Sequence, residues 1–333
     1  FIGSMSVIVD LQQQISSIAL DSVELDIDSC RILFDGETGG KGRHCDFSVE
    51  PGVLAVHLPE PRAGKASLSV EFHGKLNLDL RGFYKAAYHY QGEERYLAVT
   101  QFEEIDARRA FPCFDHPRFN TPFDIELICD SGHRAIATTS IESETPLDGG
   151  RKIVGFHKTP PMPTYLLFFG VGDFEYVEDR SFHVPIGVYA TPGKAGLGAE
   201  AVVFTRQALA YCEKFTGVDY PVDKLDLIAV PEFAYGAMEN LGAISFRENL
   251  LLFYPELVST TGIEGIASIT AHECAHMWFG DLTSPLDWQY VWLNEAFATY
   301  VTGLILDDAH PEWRAADRFI RGAAGAAMTR DSL

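Results

Sequence analysis

The chain has 333 residues, of which 47% are apolar and 22% are charged, a composition typical of a folded globular protein. This length suffices for two domains of about 150 residues each. The net charge of −21 argues against nucleic-acid binding, and no apolar run reaches the ~18 residues of a membrane span. We therefore expect no nucleic-acid partner and no membrane attachment.

The N-terminal region carries neither the charged segment nor the long apolar segment of a secretory signal. Phe1–Ser4 precede the first methionine and are interpreted as a vector-derived addition. The six cysteines are irregularly spaced and form no C-x-x-C motif: Cys30, Cys45, Cys113, Cys129, Cys212 and Cys274. In a chain without a secretion signal this pattern favours free thiols and predicts a cytoplasmic location.

The first half of the chain is predicted to consist of β-strands. The segment SLSVEFHGKLNLDL, residues 67–80, alternates apolar and polar residues and predicts a hairpin or meander with a turn at His73-Gly74. One face of this hairpin is expected to be buried through Leu68, Val70 and Phe72 in the first arm and Leu76, Leu78 and Leu80 in the second. We assign residues 5–190 to an N-terminal antiparallel β domain.

After residue 190 the pattern becomes helical, and we assign residues 191–333 to an α-rich domain. EAVVFTRQALAYCEKFTG predicts an amphipathic helix that ends at Gly217, and KLDLIAV predicts a strand. A second helix is predicted up to Gly280. WLNEAFATYVTGLILDDAHP predicts a third helix that ends before Pro311. Its apolar stripe would consist of Leu293, Phe297, Tyr300 and Leu304.

The second helix carries the motif HECAH, residues 272–276, which indicates a metal site. His272 and His276 lie one turn apart on one face, separated by ~6 Å along the axis, and can bind one ion. Glu295, nineteen residues after His276, supplies a third ligand in the next helix. Imidazole nitrogen and carboxylate oxygen suit Zn²⁺, and a catalytic site leaves a fourth position for water. Glu273, rotated ~100° from His272, can accept a proton from that water.

Two histidines on a helix also occur by coincidence, but a downstream glutamate at this spacing favours the metal site. HECAHMWFGD followed by WLNEAFA, with GAMEN at residues 236–240, resembles the gluzincin zinc aminopeptidases of the aminopeptidase N type. GFYKAAY, TQFEEIDARRAFPCFDHP and TPPMPTYLLFFGVGDF resemble the N-terminal domain of that family. Within that family we expect the greatest similarity to the archaeal tricorn-interacting aminopeptidases, which share the detail FPC-DHP.

This resemblance extends from about Gly82 to the end of the chain and implies an α+β multidomain protein. A saddle-like antiparallel β domain would precede a thermolysin-like zinc-peptidase domain, with one zinc ion per chain. The substrates would be peptides with a free N-terminus, whose α-ammonium Glu239 anchors. By the same resemblance, further substrate-binding residues are Gln101, Glu103, Gly236, Ala237, Met238 and Asn240.

One departure from the family concerns the oxyanion of the reaction. The family stabilises it with a tyrosine well beyond the third ligand, and this chain reaches Leu333 before that position. Tyr300 lies five residues after Glu295 on the same helix and is rotated ~140° away. The catalytic domain is therefore expected to be incomplete at its C-terminal end.

The departure leaves three functions open. The first is a zinc aminopeptidase that removes N-terminal residues from peptides. The second is a zinc-loaded peptide-binding module with little or no activity, and the third is a thermolysin-like endopeptidase. The sequence indicates neither an oligomeric state nor the preferred N-terminal residue.

Overall fold

The computed structural model describes residues 1–37, 40, 42–256, 260–320 and 325–331. The chain forms two compact units. Unit 1 comprises Phe1–Lys85, Ala98–Phe119 and Pro163–Tyr165, and unit 2 comprises Ala86–Leu97, Asn120–Met162 and the described residues from Leu166 onward. The confirmed α+β class therefore combines antiparallel sheets with a helical region that follows them.

Unit 1 is built around one antiparallel sheet with the strand order β1-β4-β2-β3. Its strands are β1 (Ile2–Asp21), β2 (Leu25–Phe34), β3 (Arg43–Glu50) and β4 (Val53–Gly74). Leu68 of β4 stands opposite Val7 of β1 and Ile32 of β2. Leu68, Val70 and Phe72 are buried in the core of this sheet, which confirms the first arm of the predicted hairpin.

The prediction of a second strand after His73-Gly74 is wrong. β4 ends at Gly74, and residues 75–81 contain only an isolated bridge between Asn77 and Tyr84. The backbone N–H of Asp79 donates to the Asn77 side-chain oxygen at 2.8 Å, and the Asn77 amide nitrogen donates to the Arg81 carbonyl. An asparagine side chain that bonds its own backbone in this way favours a turn over a strand. Leu78 is consequently exposed.

The described residues form twelve further strands. They are β5 (Gly82–Tyr90), β6 (Glu93–Gln101), β7 (Glu126–Asp130), β8 (Arg134–Ala137), β9 (Ile141–Leu147), β10 (Arg151–Phe156), β11 (Phe169–Gly172), β12 (Glu175–Asp179), β13 (Ile186–Ala190), β14 (Leu225–Val230), β15 (Ala237–Met238) and β16 (Ala243–Arg247). Within unit 2, one sheet has the order β7-β10-β9. The parts of β5 and β6 that belong to unit 2 form another with β11 and β8, in the order β5-β6-β11-β8.

The sheet that supports the candidate site has the order β12-β13-β14-β16-β15. β14 lies at its centre, between the parallel strands β13 and β16, and all six of its residues are buried. β15 pairs antiparallel with β16 and forms an edge of the sheet. β12 and β13 precede the predicted domain boundary at residues 190 and 191 yet join strands that follow it. That boundary stays a prediction.

The helices are α1 (Ala199–Thr216), α2 (Glu248–Leu251), α3 (Thr260–His276), α4 (Val291–Ala309), α5 (Ala315–Phe319) and α6 (Gly325–Asp331). Short 3₁₀ turns occupy Ala107–Arg109, Thr164–Leu166, Ala195–Gly198, Trp288–Tyr290 and Pro311–Trp313. α1 ends as predicted at Gly217, whose φ of 70° and N–H bond to the Glu213 carbonyl close the helix. None of the described helices has the length and apolarity that crossing a membrane requires.

The predicted apolar stripe of α4 does not face the core. Phe297 and Tyr300 are exposed, whereas Ala298, Val301 and Ile305 form the buried face. α4 packs on α3. Because α4 is apolar on most of its circumference, its sequence pattern alone did not identify the buried face.

All six cysteines lie among the described residues, where they are buried and form no disulfide. Cys30 and Cys45 stand opposite each other on β2 and β3. Burial raises the pKa of the Cys30 thiol to about 12. The predicted free thiols are therefore confirmed.

Candidate metal centre

α3 and α4 bring three potential metal ligands together. The Nε2 atoms of His272 and His276 are 3.1 Å apart. A carboxylate oxygen of Glu295 lies 3.2 Å from the His272 Nε2, and its other oxygen lies 3.6 Å from the His276 Nε2. All the candidate ligand atoms lie within 4.8 Å of one another. The helical spacing of the histidines and the packing of α4 on α3 together produce this cluster.

His276 is held in one orientation by the backbone. The residue is buried, and its Nδ1 lies 3.1 Å from the carbonyl oxygen of Phe279. A carbonyl oxygen only accepts hydrogen bonds, so Nδ1 carries the proton and donates it. Nε2 then presents a lone pair toward His272 and Glu295. Metal-ligating histidines commonly donate their other ring nitrogen to such a partner.

This contact requires an irregular turn directly after α3. The prediction that the helix continues to Gly280 is wrong, because α3 ends at His276 and a π-helical turn follows from Met277 to Leu282. Gly280 adopts a φ of 146°. A Cβ atom at this position would lie 3.2 Å from the His276 Nδ1. Glycine at 280 therefore satisfies both the backbone conformation and the space beside the imidazole.

Glu295 differs from His276 in its exposure, because about half of its side-chain surface, 52%, is accessible. The hydrogen bond with His272 lowers the pKa of Glu295, while partial burial raises it. The net shift is downward, so the carboxylate form that metals bind is favoured at neutral pH.

The donor set fits a divalent cation. Two imidazole nitrogens and a carboxylate face one another at distances of 3.1 to 3.6 Å. One proton can be shared by only two of these atoms, whereas a cation between them would satisfy all three. Two nitrogens and one carboxylate also form a common catalytic ligand set for zinc.

Two further carboxylates are buried near this cluster. Glu273 follows His272 on α3. An oxygen of Glu239 lies 4.0 Å from the His276 Nδ1. Buried carboxylates are uncommon unless they are paired or functional, which makes both residues candidates for chemistry.

Glu239 belongs to the GAMEN segment on the edge of the five-stranded sheet. Ala237 and Met238 form β15, opposite Phe246 and Ser245 of β16. The side-chain oxygen of Asn240 accepts a hydrogen bond of 2.8 Å from the Ser245 hydroxyl. Gly236 packs against α3, and a Cβ atom there would lie 3.3 Å from Ile269. The segment thus connects the sheet edge to the helix that carries both histidines.

Gln101 and Glu103 belong to unit 1, whereas the metal cluster belongs to unit 2. Gln101 is the last residue of β6 and is fully buried. Neither polar atom of its side chain is hydrogen-bonded to any residue that the structure describes. Glu103 is half-buried. Their role in binding the α-ammonium stays a prediction.

A groove of about 830 Å³ extends from His272 between α3, α4 and α5. Its walls include Ile269 and Ser268 of α3 and Thr299 and Gly303 of α4. The groove is open to solvent and leaves the side of α4 that carries Thr299 accessible. Substrate-sized space is thus available on the His272 side of the cluster.

The sequence did not identify the groups that orient the ligands. Phe279 acts through its carbonyl oxygen, which leaves no signal in the residue type. Asn294 is buried beside Gly280, and its side-chain nitrogen has no hydrogen-bond partner among the described residues. In the sequence, only its position directly before Glu295 indicates that Asn294 lies near the site.

Comparisons with known proteins extend over nearly the whole chain. The family described as Peptidase M1 N-terminal domain matches residues 1–166, and the Peptidase family M1 domain matches residues 200–333. Aminopeptidase 2 of Candida albicans is 35% identical over 337 residues, covering 100% of this chain and 36% of the relative. Aminopeptidase M1 of Arabidopsis thaliana is 36% identical, covering 96% and 37% respectively.

A probable aminopeptidase 2 of Sulfurisphaera tokodaii is 37% identical, covering 96% of this chain and 39% of the relative. The chain thus spans little more than a third of the length of these relatives. Their identities to this chain are nearly equal, and the special similarity to the archaeal tricorn-interacting enzymes stays a prediction. With both M1 domains matched in order, the chain belongs to peptidase family M1.

Proposed function

We propose that this chain contains the amine-recognition and metal-binding parts of a zinc aminopeptidase that removes N-terminal residues from peptides. The convergence of His272, His276 and Glu295 is the observation that supports this most strongly. Three relatives named aminopeptidases also support it. Because the chain spans about 36% of those relatives, its own activity is part of the proposal.

His272, His276 and Glu295 would hold the metal, and Zn²⁺ is our proposal for its identity. When bound, Zn²⁺ polarises a peptide carbonyl and lowers the pKa of a water molecule toward ~7. The proton on the His276 Nδ1, donated to Phe279, keeps its Nε2 available as a ligand.

Glu273 is proposed as the general base. It lies on α3 next to His272, with its carboxylate buried. The carboxylate takes a proton from the attacking water and delivers it to the nitrogen of the leaving amine. A base that neither binds the metal nor contacts bulk water retains its geometry through both proton transfers.

Glu239 is proposed to bind the α-ammonium of the substrate. Its buried carboxylate is near His276, where a charge-assisted hydrogen bond to an ammonium is strong. The backbone of Gly236 and Ala237, at the sheet edge, would pair with an extended peptide as an added strand. Met238, in β15, and Asn240, through its bond with Ser245, hold this segment in place. Gln101 and Glu103 stay predicted amine-binding residues.

A peptide-binding module with little turnover is the second candidate. The exposure of Glu295 and of the apolar residues around it on α4 favours this function. An incompletely covered site keeps its electrostatic interactions in contact with water, which weakens transition-state stabilisation.

Hydrolysis of aminoacyl chromogenic substrates, with and without a chelator, tests the proposal. Chelator-sensitive release from free aminoacyl substrates, and none from N-blocked ones, is the result expected of an aminopeptidase. Equal cleavage of blocked and free peptides would instead identify an endopeptidase and remove the proposed role of Glu239. Binding of zinc and of peptide without release of the chromophore would support the peptide-binding module instead.

We also propose a cytoplasmic location. The six buried thiols, none of them in a disulfide among the described residues, suit a reducing compartment. Labelling of this chain in cells, followed by fractionation, tests the location.

A further inference from the structure

A buried lysine holds the turn that follows Glu239. Lys224 directly precedes β14, and its Nζ donates to the carbonyl oxygens of Ala137 and Gly242, both at 2.8 Å. The same Nζ lies 2.6 Å from a carboxylate oxygen of Asp226. Lys224 and Asp226 are both buried. The three N–H donors of the ammonium thus have three acceptors, which fixes its position.

The turn itself runs from Asn240 to Ala243 and connects β15 to β16. The Ala243 N–H donates to the Asn240 carbonyl at 3.0 Å, and the Asp226 N–H donates to the Gly242 carbonyl at 3.1 Å. Gly242 has a φ of 71°, and a Cβ atom there would lie 2.3 Å from the Thr138 carbonyl oxygen. The Gly242 carbonyl, three residues after Glu239, therefore receives two hydrogen bonds at a point of close backbone approach.

The segment around Lys224 is also connected to the chain that follows His276. The Tyr220 hydroxyl donates to the Lys224 carbonyl at 3.0 Å, and the Trp278 indole N–H donates to the Val218 carbonyl at 2.9 Å. The rings of Tyr220 and Trp278 lie 6.2 Å apart. Residues 218–224 thus contact both the turn after Glu239 and the turn after the second histidine.

We infer that Lys224 is a positioning residue for Glu239, which it acts on through the carbonyl of Gly242. This inference rests on the proposed function in one respect, that Glu239 binds the substrate amine. A lysine with all three donors engaged cannot itself contact substrate, so its effect is on the geometry of the turn. The Asp226 carboxylate, 2.6 Å away, is the third acceptor that fixes the Lys224 Nζ in this buried position.

A purely structural ion pair is the competing explanation, and the test must separate the two. Lys224→Met alone would leave the buried Asp226 charge uncompensated and endanger folding. The double variant Lys224→Met/Asp226→Asn removes both charges together with the bonds to Ala137 and Gly242. Asp226→Asn is the control that retains the lysine and both of its carbonyl contacts. Because it leaves the buried ammonium without its carboxylate, circular dichroism must show that this variant folds before it is used for comparison.

The first measurement is amide hydrogen exchange in peptides covering residues 237–246, with circular dichroism to establish folding. Relative to Asp226→Asn, we expect exchange at Leu241 and Ala243 to be about tenfold faster in the double variant. The second measurement is steady-state kinetics with an aminoacyl chromogenic substrate. KM should rise about tenfold while kcat stays within about threefold, since Glu239 binds the amine and takes no part in the proton transfers.

Unchanged exchange in the turn, or a KM equal to that of the control, would overturn the inference. Absence of turnover in the unmodified chain would count against the proposed function, while the exchange measurement still decides whether Lys224 holds the turn. Should the double variant fail to fold, Lys224→Arg keeps Asp226 paired but displaces the donors at Gly242. It is expected to change exchange and KM in the same direction, and unaltered values would equally contradict a positioning role.

Discussion

The two helices that supply the candidate ligands differ in how much protein covers them. In α3, the residues around the second histidine are buried: Glu273, Cys274, Ala275 and His276 itself. In α4, most residues around the third ligand are exposed, namely Trp292, Leu293, Phe297 and Tyr300, whereas Asn294 and Ala298 are buried. His276 is therefore positioned by side-chain packing, whereas Glu295 is positioned mainly by where α4 lies.

Because His276 is buried and Glu295 is exposed, substitutions at the two ligands should affect metal binding and folding stability to different extents. A ligand fixed by packing contributes to the core as well as to the site, while an exposed ligand contributes to the site alone. Substitutions in α3 should therefore affect both properties, and substitutions in the first half of α4 should affect metal binding with little effect on folding.

The largest expected effect is the loss of zinc binding when one ligand is removed from α3 or from α4. His276→Ala and Glu295→Ala should each weaken zinc binding by more than about a hundredfold, beyond what loss of a ligand's hydrogen-bond partner costs. In the metal-free chain, His276→Ala should cost about 1–3 kcal/mol of stability and Glu295→Ala less than about 0.5 kcal/mol. Metal titration and urea unfolding measure the two quantities.

His89→Ala, at an exposed histidine in β5, serves as the control for that pair. It should leave both zinc affinity and stability unchanged. Equal losses of stability in His276→Ala and Glu295→Ala would contradict the proposed difference between the helices, because packing would then support both ligands equally.

Glu273→Ala tests the chemistry of α3 without touching a proposed ligand. Hydrolysis should fall by at least ~10²–10⁴, the usual contribution of a general base, with zinc content staying near one ion per chain. Metal analysis of the variant purified alongside the parent, together with the chromogenic assay, measures both. Loss of the metal along with activity would contradict the role assigned to Glu273.

Gly280→Ala perturbs the turn that orients His276. The added Cβ meets both a φ of 146° and the His276 Nδ1, so we expect a loss of about 1–3 kcal/mol in stability. Zinc affinity should fall about tenfold, as expected when a ligand's hydrogen-bond partner is displaced. Gly217→Ala is the matched control, since that glycine also has a positive φ but has no atom close to its Cβ position.

The last contrast concerns stability alone and distinguishes the two faces of α4. Tyr300→Ala on the exposed face should change stability by less than about 0.5 kcal/mol. Ile305→Ala on the buried face should cost about 2–5 kcal/mol. Urea unfolding of both variants measures the contrast, and a large loss from Tyr300→Ala would show that the exposed face is covered in solution.

Much of the site was predictable because it follows from local rules. A four-residue spacing places two histidines on one helical face, and a glycine ends α1 where the apolar pattern stops. The burial of Leu68, Val70 and Phe72 follows from strict alternation along a strand. These features depend on helix and strand geometry, which the sequence expresses directly.

The errors occurred where a nonlocal contact or a side-chain bond decides the structure. The Asn77 side chain ended a strand that alternation would have continued, and the packing of α4 on α3 selected a face that hydrophobicity did not indicate. Likewise, the burial of Lys224 depends on carbonyls from two distant strand ends. From the sequence alone, a lysine directly before a strand would be expected on the surface, because the carbonyl oxygens that accept its hydrogen bonds cannot be identified.

The bond from His276 to Phe279 has a consequence for how this centre tolerates substitution. Because the acceptor is a main-chain oxygen, the hydrogen bond to the imidazole does not depend on the side chain at position 279. An alanine substitution there would leave this bond undetected and would report instead the stacking of the Phe279 ring on Phe297 of α4. The orientation of the His276 ring depends instead on Gly280, since any side chain there would crowd the Nδ1 atom. The residue most critical for this hydrogen bond is therefore one that has no functional group.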